Sequence, residues 1–149
     1  MGLNREIHAY NARVRKLAIT IPRASLTNVT NGAAQSITLG TLPKGATVLA
    51  TSFRLTAQFT GGGATAVGVT LGDTARGVNA LGSAINAFGG TVAPVLYSPP
   101  TTPGTFAGPY AADDTAVAIF TPDGAHNLAA LTAGSIDIEI VYAIADTGY

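Results

Sequence analysis

Between residues 49 and 59 apolar and polar positions alternate. Leu49, Phe53, Leu55 and Phe59 fall on one side, and Ala50, Ser52, Arg54, Thr56 and Gln58 on the other. Successive strand residues point to opposite faces, so this spacing predicts a strand with one face buried. Residues 136–144 repeat the pattern: Ile136, Ile138, Ile140, Tyr142 and Ile144 face inward, while Asp137 and Glu139 face water. Shorter runs at 17–21, 36–39, 67–71, 92–97 and 115–121 predict further strands. Asn31-Gly32 suits a primed hairpin turn and Pro43-Lys44-Gly45 a type II turn. Gly61-Gly62-Gly63 and Pro122-Asp123-Gly124 make two more breaks. Roughly seven to nine short strands, punctuated in this way, predict an all-β chain folded as an antiparallel β-sandwich or jelly roll. No strand–helix alternation is present, which argues against a parallel sheet.

Two stretches depart from the strand period. Leu3, Ile7, Tyr10, Val14 and Leu17 are spaced 4, 3, 4, 3, the spacing of an apolar seam on a helix. Asn4 is placed to cap it, and Arg5, Arg13 and Lys16 lie off the seam. Residues 1–16 are therefore expected to form an N-terminal arm or short amphipathic helix, and residues 17–149 the sandwich domain. A lone helix of this length is marginal in water. Its stripe needs a cover: its own sandwich, sister subunits or a larger partner. Because the strand pattern reads as complete from Leu17 onward, the expected cover is another molecule. Leu3, Ile7, Tyr10, Arg13, Val14, Arg15 and Lys16 are then the partner-binding residues. The second stretch, residues 97–112, holds four prolines and predicts a long surface loop, either functional or covering a sheet edge.

Composition narrows the chemistry. Among the 149 residues Ala (27), Thr (20), Gly (18) and Pro (8) dominate, and only 11% are charged. Strong helix formers other than Ala are scarce, so a mostly helical fold is excluded. Without cysteine there are no disulfides, thiol nucleophiles or cysteine-ligated metals. All eight basic residues lie in the first 76 positions beside only Glu6 and Asp73, a net +6. Residues 77–149 hold six acids and no base, a net −6. Folding either interleaves these halves so that they cancel, or leaves a basic N-terminal end facing an acidic surface. So few bases without interleaved aromatics argue against nucleic acid as a partner. No apolar run is long enough to span a membrane, and charges interrupt any signal-like segment at the N-terminus.

Catalytic constellations are missing. His8 and His126 stand far apart, with no carboxylate at the helical spacing of a metal site. Asp113, Asp114 and Asp123 have oxygens suited to calcium but lack any loop spacing that would gather six to eight of them, and read as turn caps. Asp137 and Glu139 read as an exposed strand face rather than a glycosidase pair. No nucleophile elbow or phosphate loop is written. No catalytic residue, cofactor or metal is expected, and no enzymatic activity.

Val69-Thr70-Leu71-Gly72-Asp73 is followed by Gly108-Pro109-Tyr110-Ala111-Ala112-Asp113-Asp114-Thr115-Ala116-Val117, and then by Asn127-Leu128-Ala129-Ala130-Leu131-Thr132-Ala133-Gly134, leading into the Ile-rich last strand. In this order, over residues 34–144, the chain resembles small β-rich structural proteins encoded among the head and virion genes of tailed bacteriophages. Capsid decoration (cement) proteins are among them. The resemblance implies a non-enzymatic virion protein on the capsid surface, assembled in the host cytoplasm. It implies binding to the major capsid protein at local symmetry axes, as a homo-oligomer (dimer or trimer), so that the shell resists internal DNA pressure. It assigns no residue roles. Two alternatives stand beside it: a head or tail fibre component, and a carbohydrate-binding or adhesion module, since jelly rolls also serve as lectins. Against the latter, the chain has no Trp and ten other aromatics.

Overall fold

Apolar residues at every second position drive this chain to bury one face of each strand. The computed structural model describes residues 13–89, 95–97 and 109–144. They form β1 (Arg13–Pro22), β2 (Gln35–Leu42), β3 (Ala46–Thr60), β4 (Val67–Asp73), β5 (Gly77–Asn86), β6 (Val95–Tyr97), β7 (Asp114–Pro122) and β8 (Ala133–Ile144). Among the described residues, helix is confined to two single 3-10 turns, Arg23–Ser25 and Leu128–Ala130. The strands build two antiparallel sheets, a first in the order β1-β8-β3-β6 and a second in the order β2-β7-β4-β5. Only β4 and β5 follow each other within one sheet; the other connections cross between sheets. Eight strands with these crossings make a jelly roll.

The core is the space between the two inner faces. Phe53 and Leu55 of β3 lie opposite Ile138 and Ile136 of β8, whose other neighbours are Ile19 and Ile21 of β1. From the second sheet come Val67, Val69 and Leu71 of β4 and Ala116, Ala118 and Phe120 of β7, all buried. Phe59 and Phe120 meet edge to face across the sandwich, ring centres 5.9 Å apart, a favoured aromatic geometry. Gly134 makes room for this pair. It sits at φ +139°, and a β-carbon there would run into the Phe59 ring. The Thr51 hydroxyl, also buried, donates to the Leu81 carbonyl 2.7 Å away across the sheets.

Several expectations meet a different outcome. The helical spacing does not hold at its end: Val14 and Leu17 lie in β1, which pairs with β8 from Arg13↔Ile144 to Pro22↔Ser135. Ten backbone partners and the Leu17, Ile19, Ile21 alternation outweigh a short helical seam. The strand therefore begins four residues before the expected domain start. Leu3, Ile7 and Tyr10 lie outside the described residues, as do 98–108 of the proline-rich stretch. Leu49 does not point inward; it is 41% exposed, because a register shift between Val48 and Ala50 sends Val48 inward in its place. Asn31-Gly32 does turn, with Gly32 at φ +70°, but joins no hairpin, since β1 and β2 lie in different sheets. Residues 43–45 make the expected type II turn: Ala46 N–H donates to Pro43 O at 3.0 Å, with Gly45 at φ +79°.

A basic end of the jelly roll as candidate functional site

β7 runs the length of the second sheet, and its two ends mark two unlike ends of the molecule. At one end meet the start of β1, turn 43–45, the start of β3, the β4–β5 turn, residues 109–113 and the end of β8. This end is called the Tyr110 end. At the other meet the Gly61-Gly62-Gly63 loop and residues 123–127, the His126 end.

The Tyr110 end is closed by a buried polar lock. Tyr110 is fixed by its backbone, accepting from Gly45 N–H (2.8 Å) and donating to Ala46 O (2.9 Å). Its hydroxyl donates to Asp73 Oδ2 at 2.7 Å. Asp73, only 2% exposed, also accepts from the Arg76 backbone N–H at 2.6 Å. The Arg76 guanidinium stands 3.9 Å from Asp73 Oδ2 and 4.0 Å over the Tyr110 ring, so a cation faces both the carboxylate and the ring. Burial, then the hydrogen bond to Asp73, pushes the Tyr110 hydroxyl pKa well above its usual value. Next to it Asp114 accepts from the Thr74 hydroxyl, Thr115 N–H and Ala75 N–H. Burial alone would raise the Asp114 pKa, but these hydrogen bonds outweigh it and hold the carboxyl below the usual range. The acceptors are taken up in turn closure, which makes this cluster a structural clamp.

Outside the clamp, cations and apolar side chains share the surface. Arg13, Val14, Arg15 and Lys16 are all exposed on β1, and Val14 is 64% exposed. Val14 and Lys16 lie on the outer face of the first sheet. Arg13 and Arg15 share the parity of Leu17 and Ile19 but stand beyond the core. Lys44 sits in the neighbouring turn, its backbone N–H on Asp113 Oδ1 at 2.8 Å. Val78, 55% exposed, and Leu49 add apolar surface toward the same end. Exposed apolar groups rimmed by charge are the usual make-up of a docking surface. Further along the first sheet the two charge halves of the sequence interleave. Lys16 pairs with Glu139 at 2.9 Å, and Arg54 with Asp137 at 2.5 Å, where Thr20 also donates. Such exposed pairs contribute little stability.

The His126 end is tied by exposed groups. Asp123 accepts from Thr65 N–H (2.6 Å) and lies 2.5 Å from His126 Nδ1. The Thr65 N–H first, then His126, holds the Asp123 carboxyl well below its usual pKa. Arg23 donates to the carbonyls of Leu131 and Ala129. Asp114 and Asp123 flank β7 at opposite ends, about 30 Å apart at strand rise, so they cannot share a cation. Among the described residues no group of three or more His, Cys, Asp or Glu side chains could hold a metal. The sequence reading missed Asp73 and Tyr110. The legible signal was parity: Asp73 continues the buried run Val67, Val69, Leu71, and Asp114 begins the run Ala116, Ala118, Phe120.

No family model matches this chain, and no curated protein matches it in sequence. Solved structures do match in fold. A chain of the cyanophage Pam1 capsid asymmetric unit is similar over 97% of this chain and 92% of its own, with TM-score 0.54 and 19% identity. A chain of the capsid of Ralstonia phage GP4 is similar over 92% of this chain and 86% of its own, with TM-score 0.56 and 19% identity. The resemblance to phage virion structural proteins is thus present in the fold.

Proposed function

We propose that this chain is a non-enzymatic structural protein of a phage virion, a capsid decoration protein that docks on an acidic surface of the major capsid protein through its Tyr110 end. The observation that carries the reading is the make-up of that end. Two of its acids, Asp73 and Asp114, are turned inward into the clamp, while Arg15 and Lys44 stand outside near Val14, with Asp113 as an exposed acid among them. The near end-to-end fold likeness to chains of two phage capsids supports it. The seam residues Leu3, Ile7 and Tyr10 enter this reading from the sequence alone. For a sugar-binding module the described residues offer little aromatic platform: Phe53, Phe59, Phe120, Tyr110 and Tyr142 are buried and Phe88 is half-buried.

The test is co-sedimentation of the full chain with empty shells of its phage. Reversing two charges, Arg15→Glu with Lys44→Glu, should leave the melting temperature close to the parent and weaken shell binding about tenfold or more. Parent binding should also fall between low and high salt, as screened attraction does. A doubly reversed protein that pellets with shells like the parent removes the basic end from docking.

A further inference from the structure

The outer faces of the two sheets differ in one respect that the docking end does not explain. The outer face of the first sheet carries Lys16, Glu139, Arg54 and Asp137. Along β2, β4, β5 and β7 only Asp73 and Asp114 are charged, and both are buried. Among the described residues, the strands of the second sheet therefore set no charge on its outer face. At its centre β7 presents Val117 and Ile119, half-buried beside Thr38 of β2 and Thr70 of β4. Gly68 lies flush with them; a β-carbon there would meet only Thr121 O, at 3.7 Å. A solvated antiparallel sheet ordinarily alternates apolar-in with polar-out and carries charge outside. Small and β-branched residues make up most of this face, and at its β5 edge Gly77 and Val78 stand against Gly72.

We propose that the outer face of the second sheet is the self-association surface of this protein, occupied by the same face of a second copy. The proposal does not rest on the capsid reading. Charge selects the occupant. A two-fold interface sets one patch against itself, so any charge near its axis meets its own like. The basic Tyr110 end is unsuited to that, and an uncharged face is suited. Size agrees. Four strands about 4.8 Å apart and about seven residues long make a patch of roughly 450 Å² in projection. Two such patches bury about 900 Å² in projection, the range of weak, transient interfaces. Sheets packed face to face sit about 10 Å apart, and Thr, Val, Ile and Gly fit that spacing.

The experiment is sedimentation velocity of the full chain over a concentration series. The parent should self-associate. Thr70→Lys places a like charge on both copies and should weaken association about a hundredfold or more, with an unchanged melting temperature. Thr38→Lys, at an exposed position of β2, is a second variant with the same expectation. An equimolar mixture of Thr70→Lys and Thr70→Glu should restore association, since only a second copy supplies the opposite charge. Arg15→Glu with Lys44→Glu should associate like the parent, which separates this surface from the docking end. A parent that stays monomeric, a lysine variant that associates normally, or a mixture that fails to recover would each overturn the proposal.

Discussion

The Tyr110 end and the His126 end solve the same problem by different means. Each must tie several loops to the ends of two sheets. At the His126 end the ties are exposed: Asp123 caps Thr65 and His126, and Asn127 accepts from Ala130 N–H at 2.9 Å to start a 3-10 turn. At the Tyr110 end the ties are buried, with Asp73 and Tyr110 nearly free of solvent contact. The difference has an electrostatic consequence. Asp73 and Asp114 spend their oxygens inside the clamp, so among the described residues neither forms an ion pair with Arg15 or Lys44 outside it. Orientation, more than composition, creates the polarity.

The largest effect that can break this comparison is on stability. Asp73→Ala leaves the Tyr110 hydroxyl and the Arg76 cation without their buried partner and should cost about 3 kcal/mol in urea unfolding. Tyr110→Phe removes one hydrogen bond to a charged group and should cost about 2 kcal/mol. At the other end Asn127→Ala removes a cap and should cost about 1 kcal/mol. Equal losses from Asp73→Ala and Asn127→Ala would mean that the buried clamp holds the fold no better than an exposed cap.

The same contrast explains what was legible in the sequence. β8 and the middle of β3 read directly, because one buried face and one wet face give strict alternation. β5 was not read. Ala80, Leu81 and Gly82 are buried in succession, and its register against β4 shifts twice, so a period of two never develops. Leu49 misled because a bulge is a backbone event without a side-chain signature. The site was half legible. Arg13, Val14, Arg15 and Lys16 were singled out, but on a helix, whereas β1 sets them on alternating sides of a strand. The Asp73–Tyr110 bond joins residues 37 positions apart and depends on closure of the whole sandwich, although an acid at an inward parity position was visible.

A smaller effect should appear as pH dependence, with opposite limits for the two ends. The folded pKa of Tyr110 is raised, by burial and by Asp73. Its contribution is complete below the unfolded value of about 10 and is lost as pH rises above it. The folded pKa of Asp123 is lowered, by Thr65 N–H and His126. Its contribution is present above the unfolded value of about 4 and is lost as pH falls below it. Melting temperatures measured from pH 3 to pH 11 should therefore show Tyr110→Phe flattening the alkaline limb alone and Asp123→Asn flattening the acid limb. Asp114, also held low, keeps part of the acid limb in the second variant. An unchanged alkaline limb in Tyr110→Phe would mean that this hydroxyl is not the buried group assigned to the clamp.

The smallest expected effects fall on exposed apolar residues, where stability and docking should separate. Val14 and Leu49 are exposed toward the Tyr110 end, and Val29, 75% exposed, lies in the loop that packs by the His126 end. None is part of the core, so Val14→Ser, Leu49→Ser and Val29→Ser should each change unfolding free energy by no more than about 0.5 kcal/mol. Shell binding should respond unequally. An apolar side chain buried at an interface contributes in proportion to the area it loses to water. Val14→Ser should therefore weaken co-sedimentation several-fold, Leu49→Ser less, and Val29→Ser not at all. Val29 is the control that gives the series its meaning, because it is the most exposed of the three and sits at the end without a basic rim. If Val29→Ser weakened binding as much as Val14→Ser, apolar exposure alone would govern docking, and the basic end would have no special part in it.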